Sequence, residues 1–287
     1  MRRVAFLTLH DPTGFVMDDD LAVLPLARRG IRVETIRWDR PGVDWRQYAL
    51  VVIRSTWDYQ HEADRFLRVL EAIEHLGVRL ENGSEIVRWN MRKTYLRDLA
   101  ARGIETVPTF WREGLAPGEL VPLFEELRSA EAVIKPVMSG NAQGAWRLDA
   151  ERARELAPEI EAYYSGRPLM LQPFERGIVE EGEFSMVYLN GAHSHSILKV
   201  PKRGDFRVQE EHGSEIVPIA PQSALLAAGD AAIAAVGENL LYARADFVRS
   251  GDVFRLMELE LVEPALYLRT DSAAPDRFAE AVASLIV

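Results

Sequence analysis

Three carboxylates near the end of the chain, Asp246, Glu258 and Glu260, have the types and spacing to hold a divalent cation. Residues 254–260 read as a strand, whose side chains alternate between faces, so Glu258 and Glu260 project together while Met257 and Leu259 turn the other way. Two bare carboxylates on one face repel each other. A hard cation such as Mg2+ relieves that repulsion, taking one or two carboxylates together with the phosphate oxygens of a nucleotide. Asp246 shares their face if Ser250, Gly251 and Asp252 form a three-residue hairpin loop; a two-residue loop would shift the register by one and turn Asp246 away. The competing reading is a solvated edge strand whose charges discourage aggregation.

Further candidates lie upstream. Lys135 sits near the end of an apolar strand at 132–136, before a loop of small residues, Met138-Ser139-Gly140-Asn141-Ala142-Gln143-Gly144, whose backbone N–H groups can close over phosphates. A buried ammonium needs an anion. The loop has neither the Walker spacing nor the dinucleotide fingerprint. Lys93 opens the next helix, which alone is a surface feature. Gln172, Pro173, Phe174 and Glu175 follow an apolar strand and form a hinge able to hydrogen-bond an adenine edge, with Glu183 placed to accept from ribose hydroxyls; an ordinary connecting loop reads equally well. Lys199, Lys202, Arg203 and Arg207 form a basic segment that is a solvated loop unless it folds onto phosphate. Arg54, directly after a buried strand and followed by Thr56, Trp57 and Tyr59, is placed to clamp a substrate carboxylate in a bidentate pair.

These residues need a frame. Strands at 4–9, 31–37 and 50–53 alternate with a helix at 19–29, the pattern of a parallel sheet flanked by helices, which binds ligands beyond the carboxyl ends of its strands. Asp18, Asp19 and Asp20 read as a helix N-terminus, where acids complement the macrodipole. A helix at 66–75 and a short strand at 78–81 complete this unit. The middle stretch has the make-up of a small lid, with helices at 93–102, 118–129 and 150–164 and strands at 107–111, 132–136, 145–148 and 168–172. The remainder has strands near 183–188, 192–200 and 214–219, a helix at 222–239, the acidic hairpin and a closing helix from 276. The divisions are therefore set at 1–89, 90–171 and 172–287.

Composition narrows the function classes. At 287 residues the chain exceeds one ordinary domain, and its formal charge of −10 disfavours a nucleic-acid partner, which needs a basic surface. The absence of cysteine removes disulfides, thiolate nucleophiles and zinc-thiolate sites, and fits a cytoplasmic protein. No stretch has membrane-spanning length, and the apolar run after Met1 ends too early for a signal peptide. The histidines lack metalloprotease spacing, and no Gly-x-Ser-x-Gly elbow is present.

In order and spacing, Lys93, Lys135 with its loop, the Gln172 hinge, Glu183, Arg244-x-Asp246 and Glu258-x-Glu260 resemble the ATP-grasp superfamily over roughly residues 90–270. The first unit resembles its pre-ATP-grasp domain. Arg54-Ser-Thr-Trp-Asp-Tyr59, Trp89-Asn90 and Glu258-Leu-Glu-Leu-Val-Glu-Pro264 are similar to the glutathione-synthetase-like members, and among these to the cyclo-ligase type of cycloserine biosynthesis. The resemblance implies an α/β fold of α+β lobes behind a parallel-sheet domain, with ATP and Mg2+ (or Mn2+) as cofactors. It implies that Lys93 and Lys135 contact phosphates, that Gln172, Pro173, Phe174, Glu175 and Glu183 hold adenosine, and that Asp246, Glu258 and Glu260 carry the metal. Arg244, with Arg207, would stabilise the phosphoryl group, and Arg54, Thr56 and Tyr59 would meet substrate. The implied activity is carbon–nitrogen ligation through an acylphosphate on a small amino acid or peptide-like substrate. The alternatives are an intramolecular cyclo-ligase of the O-ureidoserine type and a non-catalytic ATP-binding module. Expected partners are small carboxylates and amines, with no nucleic acid and no membrane; a homodimer stays open. Two departures stand out: Glu260 replaces the Asn of many members, and Glu263 falls where a smaller polar residue is frequent.

Overall fold

The computed structural model describes residues 1–139 and 143–286. Its first unit runs β1 (Arg2–Thr8), α1 (Val23–Arg28), β2 (Ile31–Arg37), β3 (Leu50–Ser55), α2 (Ala63–His75) and β4 (Leu80–Glu81). The strands pair in parallel in the order β2-β1-β3-β4. All six residues of β3 are buried, as expected of a strand covered on both faces. One covering layer is α2, whose Phe66, Leu67, Leu70 and Ile73 repeat at helical spacing and pack with Ala5, Leu7, Val51 and Ile53. The other is α9 (Ala274–Ser284) at the far end of the chain; its Phe278 and Val282 pack with Val4, Phe6, Leu50 and Val52.

The middle unit comprises α3 (Ser84–Asn90), α4 (Tyr95–Ala101), β5 (Phe110–Arg112), α5 (Leu120–Glu126), β6 (Glu131–Pro136), β7 (Trp146–Asp149), α6 (Ala150–Tyr163) and β8 (Leu169–Pro173). Its sheet has the order β5-β8-β6-β7, is antiparallel, and closes a small core with α5 and α6. After α7 (Gly177–Glu180) come β9 (Glu183–Leu189), β10 (Ala192–Val200), β11 (Glu215–Ile219), α8 (Ser223–Val236), β12 (Tyr242–Ser250) and β13 (Val253–Glu260). They form a five-stranded antiparallel sheet in the order β11-β10-β9-β12-β13. Among the described residues no helix is long and apolar enough to cross a membrane.

Several local expectations need correction. Ser250 pairs with Val253, so the hairpin loop has two residues, with Gly251 at φ +62°. That loop alone would turn Asp246 away from the glutamates. The register shifts once more, at Met257, which stands as an extra residue between Leu256 (opposite Phe247) and Glu258 (opposite Asp246). This β-bulge restores the shared face and turns Met257 to the same cavity as Glu258, not to the opposite side. The helix expected from Lys93 starts at Tyr95, and the Lys93 backbone N–H donates to the Val137 carbonyl. Helix α3 was not anticipated. The β9–β10 ladder has an irregular register between His193 and His195.

The hairpin that carries the acids is pinned by side chains of the middle unit. β13 is an edge strand, and its outer backbone groups need partners. Asn90 supplies two: its Nδ2 donates to the Leu259 carbonyl and its Oδ1 accepts from the Leu261 N–H, each at 2.8 Å. The Tyr95 hydroxyl accepts from the Leu259 N–H at 2.9 Å. Glu105 and Val107 exchange backbone hydrogen bonds with Leu256. Glu258 and Glu260 thus stand on a strand held from both sides.

Candidate active site

A cavity of about 240 Å3 opens among the two antiparallel sheets and the segment that follows β3. Its wall includes Tyr59, Lys93, Lys135, Gln172, Pro173, Phe174, Glu175, Glu183, Arg207, Arg244, Asp246, Glu258 and Glu260. Residues from all three units are therefore gathered at one place. Lys135 comes from β6, Gln172 from β8, Glu183 from β9, and the acids with Arg244 from β12 and β13.

Most of the acids are held by cations. Asp246 accepts from Ser185 Oγ at 2.5 Å, from Arg244 Nε at 3.0 Å and from Lys199 Nζ at 3.5 Å. Burial acts to raise its pKa, but Arg244 and Lys199 overcome that and bring it to about 2. Glu183 sits 2.8 Å from Lys199, yet burial outweighs that partner and holds its pKa above the usual range. Lys93 Nζ lies 2.7 Å from Glu258 Oε1; for Glu258 the burial effect is overcome by Lys93 and Lys135, and its pKa is lowered. Glu260 contacts Arg244, but burial and the neighbouring Glu258 charge push it up to about 7. Lys135 is half-buried with no acid within 4 Å among the described residues, and desolvation lowers its pKa. An anion entering the cavity would raise that pKa again.

Carboxylate oxygens are the donors a hard cation takes, and burial, with neighbouring carboxylates adding to it, raises the pKa values of Glu183 and Glu260, a cost that a bound cation would offset. Asp246, Glu258 and Glu260 therefore fit Mg2+ in chemistry. Among the described residues no three acids are yet gathered at metal-ligand geometry.

Two expected substrate residues lie elsewhere. Arg54 is buried away from the cavity wall, with Nε 3.0 Å from Asp19 Oδ1, Nη2 donating to the Pro264 carbonyl, and its guanidinium over Tyr242 and Phe278. Its carboxylate partner is the protein's own Asp19, met through Nε alone, and with the Pro264 contact it ties the first unit to the last. Thr56 is fully buried and also off the cavity wall. Arg207 reaches the cavity but is bound to Asp205 at 2.7 Å. Gln172 Nε2 donates to Thr109 Oγ1, which fixes the hinge against the start of the lid. Gly140, Asn141 and Ala142 of the small-residue loop lie outside the described residues.

Lys199 was misread as part of a solvated segment. It is 3% exposed on β10, opposite Glu183, and the alternation of that strand, which puts Lys199 on the face of Ile197, was the available signal. Tyr267 also went unnoticed. It lines the cavity with φ +48°, beneath the cationic groups of Lys199, Arg244 and Arg269, and nothing in its local sequence announces this.

Residues 4–82 match the family described as D-cycloserine synthetase DcsG, N-terminal domain. Over 297 aligned residues the chain is 30% identical to the cycloserine biosynthesis protein DcsG of Streptomyces lavendulae, covering 95% of this chain and 96% of that one. This chain belongs to the DcsG family of ATP-grasp ligases. The crystal structure of D-cycloserine synthetase DcsG superposes on this ligase with a TM-score of 0.84 at 27% identity, covering 99% of this chain and 100% of that one. The fold is shared more widely. A D-alanine–D-alanine ligase from Bacillus anthracis complexed with ATP gives a TM-score of 0.69 at 14% identity, over 100% of this ligase and 96% of that chain. The ATP-grasp ligase PsnB complexed with a minimal precursor, Mg and ADP gives 0.65 at 15% identity, over 98% of each. This ligase is accordingly an enzyme of ATP-dependent carbon–nitrogen ligation.

Proposed function

We propose that this ligase closes a ring within a single amino-acid substrate of the O-ureidoserine type. The observation that carries the reading is the full-length likeness to DcsG, in sequence and in fold. A carboxylate oxygen of the substrate attacks the γ-phosphorus of ATP and the bond to ADP breaks, leaving an acylphosphate. The nitrogen bonded to the side-chain oxygen of the same molecule then attacks the acyl carbon, phosphate departs, and that nitrogen loses its proton. Little covalent work falls to the protein; its part is positioning and charge stabilisation.

In this reading Lys93 and Lys135 hold the phosphates, while Gln172 to Glu175 and Glu183 hold adenosine. Arg244, with Arg207 at the rim, meets the transferring phosphoryl group, and Tyr59 lies against the substrate. Mg2+ would be held by Asp246, Glu258 and Glu260 and, when bound, neutralises phosphate charge. Units 1–89, 90–171 and 172–287 serve as substrate-binding unit, lid and catalytic platform.

The test supplies ATP, Mg2+ and O-ureidoserine in D and L forms and follows ADP and the cyclic product by mass spectrometry. Ring closure predicts ADP from one amino acid with no added amine. ADP that forms only when a second amine is supplied would instead establish an intermolecular ligase, and tight ATP binding without turnover would point to a binding module.

A further inference from the structure

The cavity wall carries a set of acids, and their pairing separates one from the rest. Glu175 is held by Arg255, Glu183 by Lys199, Glu210 by Arg269, Asp246 by Arg244 and Lys199, Glu258 by Lys93 and Glu260 by Arg244. Glu211 has no such partner, but it is exposed to solvent. Glu263 lies in the wall, is not exposed, and among the described residues has no lysine, arginine or histidine nitrogen within 4 Å. Its one side-chain hydrogen bond, from Gln60 Nε2 to Oε1, is 3.4 Å long. A carboxylate withdrawn from water without a cation is costly, so the site as it stands lacks a positive partner.

The position of Glu263 says which end of the cavity lacks it. The Glu263 carbonyl accepts from Trp57 Nε1 at 2.9 Å, and Gln60 approaches its carboxylate; both residues follow the carboxyl end of β3. That is where ligands of open parallel sheets bind. The hinge at Gln172 to Glu175 belongs to a different sheet, with β8. Glu263 is placed by its backbone as well as by its neighbours, since the carbonyl of Pro264 after it accepts from the buried Arg54.

We propose that Glu263 anchors the α-ammonium group of the amino-acid substrate and so selects zwitterions over simple carboxylic acids. This rests on the ring-closing reading above only for the identity of the amino acid. The ammonium would stand against Glu263 and leave the substrate carboxylate to face Arg244 and the phosphates. Glu263 is thus a specificity-determining residue that takes no part in bond making.

The test compares O-ureidoserine with its des-amino analogue, 3-(carbamoylaminooxy)propanoate, which keeps both the carboxylate and the ring-closing nitrogen. In the wild-type ligase, kcat/KM should fall on the order of a hundredfold on removing the ammonium. Glu263→Gln should lose a similar factor on the parent substrate through KM, lose nothing further on the analogue, and keep the KM for ATP within about twofold of wild type. Glu263→Asp should recover part of the loss. Equal losses on both substrates, a shift in the KM for ATP or in Mg2+ dependence, or a wild type that ignores the ammonium would overturn the assignment. If wild type makes no ADP from either enantiomer, ring closure fails as the reaction. Calorimetry with D- and L-serine, D-alanine and propionate, in the presence of a non-hydrolysable ATP analogue, then decides the matter for Glu263. Amino-acid binding that is lost in Glu263→Gln upholds the anchor, and binding that persists, or no amino-acid binding at all, overturns it.

Discussion

Lys93 Nζ stands 2.7 Å from Glu258 Oε1, so the residue that introduces α4 is ion-paired to an acid on the last hairpin. The same ammonium donates to the Ser139 carbonyl at 3.2 Å, and the Lys93 backbone N–H donates to Val137. One lysine therefore links the loop after Lys135 to the strand that would carry the metal. On the proposed reading, nucleotide phosphate and Glu258 would compete for it. Glu258→Gln is expected to lower ADP formation by a hundredfold or more, on the order seen when one charge-stabilising group is removed. Its affinity for ATP measured without Mg2+ should hold or rise, because Lys93 is then free. Steady-state ADP release and a metal-free binding titration check both halves; activity that survives the change contradicts the role of Glu258.

Lys135 gives the opposite relation between stability and function. It is a half-buried ammonium with no acid within 4 Å among the described residues, and desolvation lowers its pKa. Lys135→Met removes an uncompensated charge at similar volume, so the unliganded protein should melt at the same temperature or higher. ATP affinity should nevertheless fall by one to two orders of magnitude, about 1.4 to 3 kcal/mol, the scale of a charge-assisted hydrogen bond. Thermal melting with and without ATP measures both quantities in one experiment. A Lys135→Met protein that ATP protects as well as it protects wild type would remove Lys135 from the phosphate site.

Arg54 is expected to matter for folding and not for substrate. Its partner Asp19 is 14% exposed at the side chain, and removing the arginine leaves that carboxylate without its cation. Arg54→Met should destabilise by about 3 kcal/mol, towards the low end for a broken buried pair, and Arg54→Met with Asp19→Asn should recover a large part. Denaturant melts give the stabilities. KM values for ATP and substrate in the folded fraction should stay near wild type; a raised substrate KM would return Arg54 to the binding site.

Much of this arrangement was legible in the chain. The late acids, Lys135 and the hinge stand out because strand position and element order single them out without long-range information, whereas Lys93, a surface feature by itself, is singled out only by the family resemblance. The register of the hairpin was not, since a two-residue loop and a bulge at Met257 together give the shared face that a three-residue loop alone would have given. Local pattern cannot separate two offsets that cancel. Arg54 was misplaced for a related reason: its partners Asp19, Tyr242, Pro264 and Phe278 are scattered along the chain, and only packing brings them together. Lys199 looked solvated because basic residues followed it, although its strand turns it inward against Glu183 and Asp246. The fastening of β13 by Asn90 and Tyr95 depends on contacts more than 160 residues apart and left no local trace.

The pH dependence of stability follows from the acids of the cavity. Burial raises Glu263 to about 8, with Glu260 adding to the effect, and raises Glu260 to about 7; burial also raises Glu183. In the unfolded chain these groups titrate near 4.5. Between that value and about 8 the folded protein therefore holds protons that the unfolded chain has released, and stability falls as pH rises. His193 and His195 act in the other direction, because burial lowers their pKa and the unfolded chain binds protons below about 6.5, so a clean window opens only above that pH. From about pH 6.5 to 8.5 the unliganded protein should lose on the order of 1 to 2 kcal/mol through Glu263 alone. Glu263→Gln carries no titrating proton there, so its melting temperature should decline less steeply over the same window. ATP with Mg2+ should flatten the wild-type decline as well, by placing positive charge near Glu260. Melting curves at half-unit steps of pH test this directly, and parallel declines for wild type and Glu263→Gln would show that the Glu263 carboxyl is already ionised at neutral pH.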